Sequence, residues 1–246
     1  MYKTIKEAIE LANGLKRELF DLDYAKIDVV LCPPFTALSE VYEVITDSDM
    51  QLGGQDVHWI EEGAFTGEVS CKMLKDAGCR FVIIGHSERR QYFGETNESI
   101  NKKLKAALSA GLTPIVCVGE SLKEREKGQT FKVLDGHVQN GLKDITQEEA
   151  LKLVIAYEPV WAIGTGKNAT PQQAEEAQKY IREILAKLYN REAADNIRIQ
   201  YGGSVKPENT LELMQQPDVD GALVGGASLG LASFADIVKK AYEVKR

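Results

Sequence analysis

Two ionisable side chains stand directly behind runs of apolar, β-branched residues, a placement suited to proton transfer. His86 follows Phe81-Val82-Ile83-Ile84 in the stretch Gly85-His86-Ser87-Glu88-Arg89-Arg90. Glu158 follows Val154-Ile155-Ala156-Tyr157 and leads into Pro159-Val160-Trp161-Ala162-Ile163-Gly164-Thr165-Gly166-Lys167. A carboxylate at the end of an apolar strand is costly to bury unless it is paired or used. The stretch after Glu158 is mostly apolar and is bounded by proline and Gly-x-Gly, the pattern of a lid hinged at both ends that expels water. A histidine in such a place works as an acid or base, or simply hydrogen-bonds at the strand end. His58 and His137 lie in loop and helical contexts and read as structural or solvated.

Two glycine pairs add a second chemistry, in Tyr201-Gly202-Gly203-Ser204 and Val224-Gly225-Gly226-Ala227-Ser228. Glycines after the last strands of a barrel either make tight turns or let backbone N–H groups approach an anion. The pattern occurs twice, at the two places where barrels hold phosphate, so a phosphorylated substrate is expected.

The elements that must position these residues are short apolar runs alternating with helical patterns. The runs are Ile27–Cys32, Met50–Gly53, Phe81–Ile84, Thr113–Val118, Val154–Tyr157, Ile197–Tyr201 and Gly221–Val224. They are continuous instead of alternating, as strands covered on both faces of a parallel sheet are. Thr4-x-x-Glu7 and Thr170-Pro171-x-Gln173 are capping boxes. Ile5, Ala8, Ile9, Ala12, Leu15 and Leu19 mark one helix face, and Gly111 closes a helix over Ile100–Ala110. Repeated βα units fit a closed barrel or an open doubly wound sheet. Gly225-Gly226-Ala227-Ser228-Leu229-Gly230 fails the dinucleotide fingerprint, and Gly164-Thr165-Gly166-Lys167 fails the P-loop, since Trp161 and Asn168 occupy two of its fixed positions. The barrel is favoured, as one domain over 1–246.

Composition removes other classes. The chain has 246 residues and a net charge of −7, with Lys and Arg scattered, so it offers no footprint for nucleic acid. Cys32, Cys71, Cys79 and Cys117 are widely spaced and read as reduced thiols of a cytoplasmic protein. No apolar run approaches a membrane span. No cofactor and no metal are expected.

Taken together, Gly85–Arg90, Ala156–Gly166, Tyr201–Val205 and Val224–Leu229 resemble the triosephosphate isomerase family over essentially the whole chain, in the family's order. The resemblance implies an α/β fold, the (β/α)8 TIM barrel, and cofactor-free interconversion of dihydroxyacetone phosphate and glyceraldehyde 3-phosphate through an enediol(ate). It implies Glu158 as the base and His86 as the electrophile, with Glu88 in support. Gly164, Ser204, Gly225 and Gly226 would hold the phosphate. Gly63-Ala64-Phe65-Thr66-Gly67-Glu68 resembles the loop this family inserts into a neighbouring subunit, which implies a homodimer with Thr66 at its contact. Another phosphate-binding barrel would need a metal cluster, a Schiff-base lysine or a carboxylate pair, and the sequence offers none of these.

The family opens with a strand ending in Asn-Trp-Lys, after which its sequence runs on in the manner of Met1-Tyr2-Lys3. The expectation is a barrel whose first strand, with its Asn and Lys, lies upstream of Met1; the alternative is an impaired phosphate-binding remnant. Losing a strand that buries four or five apolar side chains removes roughly 6–15 kcal/mol, comparable to a typical net stability of about 5–15 kcal/mol. Expressed as printed, the chain is expected to be partly unfolded, with trace activity in a coupled isomerase assay. Adding a strand ending in Asn-Trp-Lys should restore melting and turnover, and Ala in place of that Lys should leave turnover roughly 10²–10³-fold low. Cooperative melting with full activity in the printed chain would overturn the expectation.

Overall fold

The computed structural model describes residues 1–163 and 169–244. Seven strands form one parallel sheet, each paired with its neighbours in sequence: β1 (Val30–Leu31), β2 (Gln51–Gly54), β3 (Phe81–Ile84), β4 (Thr113–Val118), β5 (Val154–Tyr157), β6 (Arg198–Tyr201) and β7 (Gly221–Ala222). The three central strands coincide with the predicted runs. The outer two are shorter than Ile27–Cys32 and Gly221–Val224, because β1 and β7 are the sheet's edges among the described residues and each has one ladder partner.

The strands bury side chains on two faces. Val82, Ile84, Val116, Val118, Ile155, Tyr157, Ile199 and Tyr201 point outward into the large core shared with the helices. Phe81, Ile83, Ile115, Cys117, Val154 and Ala156 point inward and form a separate cluster. Val30 of β1 and Leu223, just past β7, both pack on that inner cluster. In a flat sheet the outer strands would stand about 29 Å apart, at roughly 4.8 Å per strand step. They reach one small cluster only because the sheet is rolled into a barrel. Arg198 of β6 bonds Asp28, just before β1, at 2.5 Å, which the same roll requires.

The helices form where the chain signals them. Both capping boxes are made, at Thr4 with Glu7 and at Thr170 with Gln173. The helix predicted over Ile100–Ala110 runs over Asn97–Ser109 and ends in Gly111, whose φ of 76° is the left-handed conformation that favours glycine. The first helix, Ile5–Glu18, buries Ala8, Ala12 and Leu15, whereas Ile5, expected on that face, is exposed at its open N-terminal turn. Gly14 is buried on another side of this helix, where a Cβ would meet Leu231 at 2.7 Å. The first and last helices therefore pack with no room for a side chain there. No described helix is long and apolar enough to cross a membrane.

Candidate active site

Because every strand is parallel, the C-terminal ends of all seven lie on one rim. His86 comes after β3, Glu158 directly after β5, and the two glycine pairs after β6 and β7. His86 is the N-cap of the helix Ser87–Tyr92, and its Nδ1 accepts the Glu88 backbone N–H at 3.3 Å. Accepting there puts the ring proton of the neutral imidazole on Nε2. Nε2 lies 3.0 Å from Oε1 of Glu158.

The Glu158 side chain is 2% exposed. Its charge is met by the first turn of the His86 helix, where the Ser87 backbone N–H donates to Oε2 at 2.9 Å and the Ser87 hydroxyl to Oε1 at 3.1 Å. A carboxylate at a helix N-terminus also gains from the positive end of the helix dipole. Its backbone is fixed as tightly. The Glu158 N–H donates to the Val118 carbonyl at 2.8 Å. A Cβ on Gly119 would stand 1.7 Å from the Glu158 carbonyl oxygen, and one on Gly202 would stand 3.0 Å from Glu158 Cγ. Beneath lies the Cys117 thiol, raised well above its ordinary value by burial and then by the Glu158 charge.

Two sets of charges hold the His86 helix. Arg90 donates from Nε to the Gly85 carbonyl at 2.9 Å, from Nη1 to Asn97 Oδ1 at 2.7 Å and from Nη2 to the Cys117 carbonyl at 3.1 Å. It therefore ties the ends of β3 and β4 together. Arg89 bonds Asp56 at 2.9 Å and Glu95 at 2.6 Å, while buried Lys103 bonds Asp56 at 2.6 Å and also Glu95. On the other flank of Glu158, the fully buried Glu120 accepts from Trp161 Nε1 at 2.9 Å, from Arg125 at 3.1 Å and from the Tyr157 hydroxyl at 3.1 Å. Its carbonyl takes the Val160 N–H at 3.1 Å. The chain leaving Glu158 is thus pinned through Trp161.

Of the residues singled out in the sequence, His86 and Glu158 are brought into contact. Glu88 contributes its backbone N–H to His86, while its carboxylate is mostly exposed and 3.8 Å from His86 Nδ1. Gly164 lies outside the described residues. Gly225 and Gly226 open onto free space, with nothing within 4 Å of an added Cβ. Gly202 and Gly203 are used differently. A Cβ on Gly203 would meet the Tyr201 hydroxyl at 2.2 Å and Pro159 at 2.9 Å, so this pair makes room for the chain around Glu158. Ser204 is half-buried and its carbonyl accepts from Asn209 at 2.9 Å. Thr66 is exposed, in a loop where Phe65 lies over His58 with ring centroids 4.5 Å apart. Sequence reasoning passed over Ser87, Arg90, Cys117 and Glu120. Two of these had a local cue: Ser87 is a hydroxyl at the first helical position beside His86, and Glu120 follows the apolar run Thr113–Val118 after one glycine, as His86 follows Phe81–Ile84. Among the described residues no group of three or more His, Cys, Asp or Glu could hold a metal ion.

The model of one protein family, triosephosphate isomerase, matches residues 1–241. Among curated relatives, the triosephosphate isomerase of Carboxydothermus hydrogenoformans is 58% identical over 241 residues, covering 97% of this chain and 94% of the relative. That of Geotalea uraniireducens is 56% identical over 241 residues, with the same coverage. That of Moorella thermoacetica is 56% identical over 238 residues, again at 97% and 94%.

The two half-buried histidines should titrate in opposite directions from the ordinary 6.5. Burial works against the charged His86 ring, but the hydrogen bond and charge of Glu158 outweigh it and raise the value. Burial, aided by Arg90, lowers His137 to about 4. The raised His86 stabilises the fold fully below pH 6.5 and loses that contribution as pH rises through its folded value. The depressed His137 contributes fully above 6.5, and that is lost as pH falls toward 4. Imidazole NMR titration should resolve the two midpoints, and Glu158→Gln should lower that of His86. Coincident midpoints would contradict the assignment.

Proposed function

The chain belongs to the triosephosphate isomerase family, and from that membership we propose which of its residues carry the reaction. It is an aldose–ketose isomerase that interconverts dihydroxyacetone phosphate and D-glyceraldehyde 3-phosphate. Glu158 is the base that removes a proton from the carbon beside the carbonyl and returns it to the neighbouring carbon. His86, neutral with its proton on Nε2, donates that hydrogen to the carbonyl oxygen as negative charge gathers there in the enediolate. The observation that carries this reading is the 3.0 Å approach of His86 Nε2 to a carboxylate that is 2% exposed. A base shielded from water and an N–H donor at hydrogen-bond distance from it stand on one side of the rim, where substrate entering would take over both, its carbon meeting the carboxylate and its carbonyl oxygen the N–H. When substrate enters, Ser87 is the group that releases or retains the carboxylate, so it sets how readily Glu158 turns toward carbon.

Phosphate is assigned to Gly225, Gly226, Ser204 and Gly164, supported by the open space at the first two. The chain functions as one barrel domain, and its partner is a second copy of itself. Support for the dimer comes from Tyr92 and Phe93, 69% and 68% exposed, and from Phe65 in the Thr66 loop, 45% exposed. Phe93 and residues 67–69, next to Thr66, line one hollow, which suits a contact from a partner. A cytoplasmic location is supported by the four cysteines, none of which is disulfide-bonded.

In an isomerase assay of a parent that carries the family's upstream strand ending in Asn-Trp-Lys, Glu158→Asp withdraws the carboxylate by about one methylene, and misplacement on the order of 1 Å costs roughly 10²-fold in kcat. KM should change far less. In the same assay Gly226→Val should weaken inhibition by inorganic phosphate, its side chain filling space that nothing in the protein occupies. A kcat within a few-fold of the parent removes Glu158 from its role, and an unchanged inhibition constant removes Gly226 from the phosphate site.

For the dimer, sedimentation of the parent should give twice the chain mass, and Thr66→Arg should shift it toward monomer. A monomeric parent would refute the pairing.

A further inference from the structure

His137 occupies the middle of the helix Thr130–Gly141, and its ring reaches the C-terminal end of β4. Its Nδ1 accepts the Gly119 backbone N–H at 3.3 Å. The residue before it, Gly136, accepts Asn97 Nδ2 at 3.2 Å, and Asn97 in turn accepts from Arg90. Arg90 grips the carbonyls of Gly85 and Cys117. Two successive residues of one helix therefore reach the ends of both β3 and β4, one by a direct bond and one through a relay.

The direct bond falls where the site has no slack. Gly119 is jammed against the Glu158 backbone, at the 1.7 Å Cβ approach, and its predecessor Val118 accepts the Glu158 N–H. Rotation of the Gly119 peptide has to move Glu158. An N–H in this part-buried position that loses its acceptor costs free energy, and the peptide turns to find another partner. We infer that His137 is a positioning residue for the isomerisation: its neutral imidazole fixes the Gly119 peptide and, through it, the backbone that aims the Glu158 carboxylate. The inference rests on Glu158 being the base. Only the neutral ring can serve, since imidazolium has no lone pair to accept with. The charged groups facing the ring are Arg90 and Glu124, and burial with Arg90 outweighs Glu124 in keeping it neutral.

The test compares His137→Leu, His137→Asn and His137→Gln with the parent and with Glu158→Gln, in steady-state isomerase kinetics well below each melting temperature. The Leu variant should lose about 10-fold in kcat with KM within about two-fold, a part of the roughly 10²-fold cost of a full 1 Å displacement. Asn or Gln, whose side-chain oxygens accept a hydrogen bond, should recover most of the loss. A folded Leu variant with parental kcat overturns the inference, and so does a loss that neither acceptor variant repairs. If the Leu variant does not melt cooperatively, amide exchange of Gly119 decides. Protection in the parent and in an acceptor variant supports the role, and exchange at an unbonded rate in the parent refutes it. Parental activity in Glu158→Gln would instead remove the base assignment, a separate failure.

Discussion

A carboxylate taken almost wholly out of water has to be met by donors, and the arrangement around Glu158 follows from that requirement. The donors come from one helix turn, so the helix Ser87–Tyr92 has to begin beside the end of β5 although it is wound from the end of β3. That placement in turn needs β3, β4 and β5 in parallel register, with Ile83 opposite Ile115 and Cys117 opposite Ala156. The glycines at 119 and 202 are the steric counterpart of the same demand, since any side chain there would push on the acid. Sheet, helix and turns are thus fitted around one charge.

The charges farther out work at one remove. Arg90 neutralises no acid directly but binds carbonyls on two strand ends, acting as a strut between them. The Asp56, Arg89, Glu95 and Lys103 group puts two cations against two anions with little water. Breaking such a set by deleting one partner typically costs about 3–5 kcal/mol, whereas the intact set adds less than its Coulomb energy suggests. Its value lies in geometry: Arg89 belongs to the same short helix as Ser87, so the cluster fixes that helix against the barrel wall.

Much of this was legible in the sequence, for identifiable reasons. Strands covered on both faces are continuous apolar runs, so β3, β4 and β5 stood out residue for residue. Capping boxes are local, so Thr4 and Thr170 stood out too. The ends of β1 and β7 did not, because pairing with one neighbour leaves the run's outer residues unladdered. His86 and Glu158 were legible because strand-end polar residues break an apolar pattern. Arg90, Asn97 and His137 were not, since each acts on a carbonyl or amide brought near by the fold. The two glycine pairs looked alike in sequence, yet one accommodates the protein's own chain and the other faces open space.

The Glu120 anchor bears on how the segment after Glu158 could be exchanged between proteins. Trp161 is held by its indole N–H to a buried carboxylate and by its ring face to Arg125, 4.5 Å away. Residues 158 to 161 therefore belong mechanically to the barrel, and the exchangeable part begins after them. A transplanted segment spliced directly behind Glu158 would discard the Trp161 anchor and take one of its donors from the buried Glu120 carboxylate. One spliced behind Trp161 would keep that anchor, which makes the tryptophan, and not Glu158, the natural joint of this module.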